Sequence, residues 1–243
     1  LLKIVTMADL AVIKEIIKET KNVWRFKIES PLYDKLNYKP GQLINLFLRS
    51  PMDPPHVRSY SISSWPDNTN ELEIIVTDQP GGLMSELLFR QAKVGTELEY
   101  SGPMGVFTLP EEIDRDIFFV CTGSGISPFR SMVNYVTKNN IKTKNIHLIY
   151  GCRTKADLLY YDELKELEKE NPNFHYHCTL SREKVEGFHN GYVHPIYLDL
   201  IKDLKNKPLF YLCGWKQMIT DVRTNLNRLD YKMGKDIRIE IFG

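Results

Sequence analysis

Arg58-Ser-Tyr-Ser-Ile-Ser-Ser64 places a guanidinium, a phenol ring and several hydroxyls on what reads as one short strand. Alternate side chains of a strand point the same way, so Arg58 and Tyr60 share one face while Ser59 and Ser61 take the other. An arginine binds a diphosphate through paired, charge-assisted hydrogen bonds. A neighbouring tyrosine can stack on a planar ring, and a serine can hydrogen-bond that ring's edge. Composition alone serves a half-exposed strand with a solvated Arg58 equally well.

A second cluster, Thr122-Gly-Ser-Gly-Ile-Ser-Pro128, directly follows the apolar run Ile117-Phe-Phe-Val120 and leads into a helix. Pro128 suits a helix's first turn. Strand, glycine turn, helix is where open α/β sheets bind dinucleotides, which favours a ligand role for Thr122, Gly123, Gly125 and Pro128. The spacing departs from GxGxxG, because Ser127 and Pro128 occupy the region of the third glycine. The next strand closes with Tyr150-Gly-Cys-Arg153, not with the acid that accepts a ribose 2′-hydroxyl. Arg153, or Ser181 and Arg182 after the following strand, can instead meet a 2′-phosphate, although surface arginines are as readily plain solvated charges. Gly81-Gly-Leu-Met-Ser85 allows a tight turn into a helix, whose amide end attracts phosphate. It also reads as an ordinary turn with Ser85 as the helix cap. Cys213 and Gly214 close a further strand on the same side, and Glu240 and Phe242 point one way on the last strand. Cys213 can touch a bound ring there, whereas Phe242 reads equally well as a core plug.

Two periods position these residues. In the first hundred residues, β-rich runs recur at 24–28, 43–48, 58–64, 72–77 and 96–100. They are separated by turn signals such as Lys39-Pro-Gly-Gln42, Pro51–Pro55 and 66–70, and this spacing favours a small antiparallel barrel. A strand at 11–19 joins them, although Ile13, Ile16 and Ile17 also suit a short helix; residues 85–90 are the one convincing helix. Beyond Pro110, strands at 117–121, 146–150, 174–180, 209–213 and 237–242 alternate with helices over 128–138, 159–170 and 216–228, and a shorter one near 196–203. That alternation means βαβ crossovers and a parallel sheet covered on both faces. The expected fold is therefore an N-terminal antiparallel β-barrel over residues 1–110 and a C-terminal α/β parallel-sheet domain over 111–243.

Bulk properties exclude other classes. Residues 1–110 carry 12 Lys/Arg against 13 Asp/Glu, and residues 111–243 carry 20 against 18, so neither half has a nucleic-acid binder's basic excess. The 4 cysteines lie far apart with no CxxC, which argues against an iron–sulfur centre or structural zinc and for reduced thiols in a cytoplasmic protein. No apolar run is long enough for an integral membrane segment, and no signal-peptide pattern appears. The first residue is Leu rather than Met, so a few preceding residues are expected. The 6 histidines show no metal pattern; His175 and His177 share a strand face, but no third ligand is indicated and no metal is expected. No GxSxG elbow or acid pair points to hydrolysis.

Taken in order, the motifs resemble those of the ferredoxin–NADP reductase superfamily across nearly the whole chain. Arg58, Tyr60 and Ser61 match its Arg-x-Tyr-Ser flavin signature, and Gly82 with Ser85 its Gly-x-x-Ser turn. Gly102, Pro103, Gly105 and Phe107 match Gly-Pro-x-Gly-x-Phe. Thr122, Gly123, Gly125, Ile126 and Pro128 match its nucleotide loop, and Tyr150, Gly151 and Arg153 the Tyr-Gly-x-Arg strand end. Cys213 and Gly214 match Cys-Gly, and Glu240 with Phe242 the Glu-x-aromatic close. Trp215 stands where many relatives have proline, and Phe242 replaces the commoner tyrosine.

The resemblance implies a single-chain flavoprotein without a fused iron–sulfur domain. It would bind FAD in the barrel and NAD(P)H, leaning to NADPH, in the α/β domain, passing hydride to flavin N5 and single electrons onward. The acceptor would be a protein such as ferredoxin, flavodoxin or a separately encoded oxygenase component. In that scheme Arg58 anchors the flavin diphosphate, Tyr60 stacks on the isoalloxazine and Ser61 holds its reactive edge. Cys213 and Glu240 shape the nicotinamide pocket, and Phe242 covers the flavin. Two other readings stay open: a free-flavin or quinone reductase, and a flavin-binding regulatory or electron-transfer subunit of a larger complex.

Overall fold

Alternating burial along Ala11-Val-Ile13 and Phe26-Lys-Ile28 turns one side of each strand inward, which drives sheet formation in the first half of the chain. The computed structural model describes residues 8–50 and 53–242, and the chain divides into two compact units, Leu1–Thr108 and Leu109–Gly243. The first holds β1 (Asp9–Lys18), β2 (Val23–Glu29), β3 (Leu43–Ser50), β4 (Asp53–Ser61), β5 (Glu71–Thr77) and β6 (Glu97–Met104). Their order is β4-β3-β6-β1-β2-β5 and each neighbouring pair is antiparallel. An Ile62–Ile74 bridge and the Ser63 N–H, which donates to Glu73 O at 2.8 Å, join the two outer strands and close the barrel. The apolar core encloses Tyr100, whose hydroxyl donates to Ser30 Oγ at 2.7 Å, and Ser61, Ser63, Ser85 and Ser101 are also buried in this unit.

Local expectations shift in this unit. The segment expected over 11–19 is strand, not helix, as β1 over Asp9–Lys18, with a bulge between Ile13 and Glu15. The strand expected over 58–64 runs instead from Asp53 to Ser61, so residues 53–55 of the predicted turn are strand, while Pro51 and Met52 lie outside the described residues. The helix expected over 85–90 begins earlier, as α1 (Leu83–Glu86), and continues as a π-helical turn over Leu87–Gln91. That turn seats Leu88 in the core and lays Phe89 against Trp24, 4.6 Å between ring centroids.

The second unit holds β7 (Ile117–Thr122), α2 (Ser127–Lys138), β8 (Ile146–Cys152), α3 (Tyr161–Glu170), β9 (Phe174–Leu180) and β10 (His189–Asn190). It continues with α4 (His194–Leu200), β11 (Leu209–Trp215), α5 (Lys216–Arg228) and β12 (Ile237–Phe242). All its strands are parallel in the order β10-β9-β8-β7-β11-β12. The chain winds outward from β7 to β10, then returns to place β11 on β7's other side. Ligands bind beyond the strand ends at such a reversal. Phe118, Val120, Phe210 and Leu212 pack with Ile219 and Val222 of α5 on one face. On the other face Phe119 stacks on Phe129 of α2 at 4.6 Å.

Two helices differ from the pattern. α3 starts at Tyr161 because buried Leu159 and Tyr160 are spent on packing: Tyr160 takes φ 56° and lies under the Arg130 guanidinium, 4.3 Å from its ring centre. The helix expected near 196–203 begins at His194 and tightens into a 3₁₀ turn over Ile201–Asp203.

Candidate functional site

In the barrel unit, Arg58 pairs across β3–β4 with Leu46, Tyr60 with Ile44, and Ser61 with Leu43. Arg58 is exposed, donates to the neighbouring Val57 carbonyl at 2.8 Å, and has no acidic partner among the described residues. Tyr60 is half-buried against the core; burial pushes its phenol up to about 12, with the Arg58 charge pulling the other way. The ring is therefore neutral and held on one side, with an unpaired cation two residues before it. Ser61 is only 3% exposed, so its hydroxyl is turned from solvent.

Ser85 is not the helix cap. Gly82 takes that position, and the buried Ser85 Oγ instead accepts the Gln79 N–H at 2.9 Å. Arg90 grips Asp78 through two hydrogen bonds of 3.1 and 3.0 Å and reaches the Ser85 carbonyl at 3.3 Å. The Gly81–Ser85 turn is thus braced from both sides, with open space where a side chain at Gly81, at φ +76°, would stand. Sequence reading missed Asp78 and Arg90; twelve residues apart, they carry no local signal. Gly102, matched in the resemblance, is required by packing, since a Cβ there would lie 2.9 Å from Leu43 O.

In the α/β unit, Thr122 ends β7, Gly123–Ile126 forms a 3₁₀ turn, and buried Pro128 lies in the first turn of α2. The glycines do different work. At Gly123, φ +54°, nothing lies within 4 Å of a built Cβ, so a ligand can approach its backbone. Gly125 is crowded instead: a Cβ would stand 2.5 Å from Cys213 O and 2.6 Å from Gly214 Cα. A Cβ on Gly214, at φ +126°, would meet Thr122 O and Oγ1, both at 2.7 Å. Thr122 Oγ1 also accepts the Trp215 N–H at 3.1 Å. The bare Cα of Gly214 is what admits the β7 turn.

Cys213 is fully buried, and burial first, then the Glu240 charge, holds its thiol well above the ordinary range. Glu240 pairs in register with Cys213, and Phe242 with the exposed Trp215. Arg153 and Arg182 come together, since the Arg182 N–H donates to Arg153 O at 2.9 Å. Ser181 locks the same junction through its N–H and Oγ, both donating to Cys152 O at 3.0 and 3.2 Å. Both arginines are exposed and lack acidic partners among the described residues. Glu183, unmarked in the sequence reading, accepts the Lys155 N–H at 2.7 Å beside them.

The chemistry of both donor sets fits the cofactors expected. An unpaired guanidinium beside a neutral ring suits a flavin diphosphate, and an open glycine turn with two unpaired guanidiniums beyond neighbouring strands suits a phosphorylated nucleotide.

Comparison with known proteins agrees. Residues 9–109 match the oxidoreductase FAD-binding domain and residues 119–224 the oxidoreductase NAD-binding domain. Ferredoxin--NADP reductase B of Sorangium cellulosum is 32% identical over 76% of this chain and 78% of its own length. The chain belongs to the ferredoxin–NADP reductase superfamily. The anthranilate 1,2-dioxygenase electron transfer component of Acinetobacter baylyi is 30% identical, over 88% of this chain and 60% of that protein. The chain spans 60% to 62% of the length of three curated relatives, that one among them. A Neisseria gonorrhoeae ferredoxin NADP+ reductase, solved with bound FAD and NADP, shares the fold at a TM-score of 0.83. It is 23% identical, and the match covers 96% of this chain and 98% of that one. Both halves thus carry the cofactor-binding domains of this superfamily, for FAD and for a nicotinamide dinucleotide. Among the described residues no helix is long and apolar enough to cross a membrane.

Proposed function

We propose that this chain is an FAD-dependent NAD(P)H reductase that passes electrons to a protein acceptor such as ferredoxin, flavodoxin or an oxygenase component. One observation carries the reading: an FAD-binding and an NAD-binding domain lie in one chain, each with an unpaired cation at its expected phosphate site. When bound, FAD accepts a hydride from the nicotinamide and releases the two electrons singly. Arg58 holds the flavin diphosphate, Tyr60 supports the ring as a neutral phenol, and Ser61 orients its edge. Gly82 and Ser85 shape the second phosphate turn.

In the α/β unit, Thr122, Gly123, Gly125 and Pro128 form the dinucleotide turn. Arg153, Ser181 and Arg182 receive a 2′-phosphate, which is the reason for preferring NADPH. Gly214 lets the β7 and β11 turns close on each other, and Cys213, Glu240 and Phe242 border the nicotinamide. The protein acceptor follows the relatives' description as electron transfer components, and a cytoplasmic setting accords with 4 free cysteines. The test is reconstitution with FAD followed by NADPH-driven reduction of ferredoxin or flavodoxin. Sustained turnover supports the reading, and a folded protein that retains no FAD overturns it. Rapid reduction of free flavin by a protein that holds flavin weakly would instead mark a flavin reductase.

A further inference from the structure

Four of the 6 histidines, separated in sequence, meet on one face at the edge of the parallel sheet. His147 of β8 is at the centre. Its ring lies 4.7 Å from Phe118 on β7, 4.7 Å from His175 and 5.4 Å from His177 on β9, centroid to centroid. His147 Nδ1 and His177 Nε2 are 3.2 Å apart, an imidazole–imidazole hydrogen bond, with the two ring planes inclined by 22°. His189 of β10 extends the row, 6.3 Å from His177. Among the described residues no three donors converge as a metal site would require, so the rings serve one another.

That bond has a strict proton count. One ring must donate and the other accept, so protonating the accepting nitrogen turns two N–H groups toward each other, and charging both rings sets two like charges at close range. The surroundings offer little to absorb that charge. Phe118 is apolar, and Asn145 Oδ1 faces His175 Nε2 at 3.5 Å. Glu168 of α3 favours a charged His177, but it already accepts the Tyr176 N–H at 2.7 Å and is paired with Lys165, whose own charge opposes that protonation.

We propose that the His147–His177 bond, flanked by His175 and His189, is an acid-sensitive latch holding β8, β9 and β10 together. Burial, reinforced by the neighbouring histidines, lowers His147 to about 3; burial and then His189 lower His177 to about 4, both from 6.5. Both rings are therefore neutral in the folded unit, while the unfolded chain takes up protons as pH drops below 6.5. Stability is full above that value and falls through the window down to about 4 for His177 and about 3 for His147. The folded-to-unfolded ratio drops about tenfold per pH unit for each ring. The strands affected lead into Arg153, Ser181 and Arg182, but the inference does not depend on what those residues bind.

Amide hydrogen exchange of the whole protein tests it, corrected for the intrinsic pH dependence of exchange. Between pH 6 and pH 5, protection of β8 and β9 should fall about a hundredfold relative to the barrel strands β1 and β2. His147→Phe, which preserves the ring stack on Phe118, and His177→Gln, which keeps a polar side chain, should each reduce that fall to about tenfold. A fall of equal size in the barrel strands, or an unchanged fall in whichever variant folds, would overturn the latch.

Discussion

Arg58 on β4 and Gly125 after β7 lie in sites of opposite construction. The barrel presents side chains: an exposed guanidinium that donates to its own neighbour's carbonyl, and a half-buried neutral phenol. The α/β unit presents backbone, with Gly125, Cys213, Gly214 and Thr122 interlocked at distances that leave no room for a Cβ. Ligand contacts in the first can be removed without disturbing the fold. In the second, any ligand held by the turn would share atoms with the packing, so binding and folding should be lost together.

The largest effect should come from Gly125→Ala. Its methyl must displace Cys213 O or Gly214, so we expect destabilisation of the α/β unit by about 3 kcal/mol, the upper end for overpacking. Urea unfolding followed by amide exchange of β7 and β11 reads this; an unchanged midpoint would mean the two turns yield freely. Arg58→Ala should weaken FAD binding by about 2 kcal/mol, roughly thirtyfold, while apo-protein stability shifts by less than about 0.5 kcal/mol. Comparable losses in both would erase the contrast between the units. Arg153→Ala and Arg182→Ala should each raise the NADPH dissociation constant about tenfold and leave that of NADH nearly unchanged. Equal effects on both nucleotides would remove the ground for preferring NADPH.

The smallest effect concerns the thiols. Burial holds Cys121 and Cys213 well above the ordinary thiol range and pushes Cys152 and Cys178 up to about 12. Native protein at pH 8 should therefore react slowly with a disulfide reagent, Cys152 first because it alone is half-exposed. All 4 should react at once in denaturant. A rapid native reaction at Cys213 would show that the β11 end opens readily.

What the sequence made legible was whatever repeats locally. Phe174–Leu180, Lys216–Arg228 and Ile237–Phe242 form over the residues their periodicity marks, because burial and period coincide there. Residues 85–90 are helical as marked, but the widening to a π-helical turn that seats Leu88 and Phe89 was not legible, being set by Trp24 on a distant strand. At the sites, motif order located the strand of Arg58 and the turn of Gly123. It did not separate the open glycine from the crowded ones, since both look alike until β11 is placed beside β7. The pairing of Arg153 with Arg182, the Asp78–Arg90 brace and the gathering of His147 with His175 and His177 likewise depend on strand adjacency. A strand carries that information only through its neighbours.

The most direct measurement is an anaerobic titration of the FAD-reconstituted protein, first with NADPH and separately with NADH, followed by visible absorbance. Loss of the oxidised flavin band at one equivalent of nucleotide, earlier with NADPH, is the predicted result. Flavin that stays bound and oxidised with both nucleotides would contradict hydride transfer between the two cofactors on this chain.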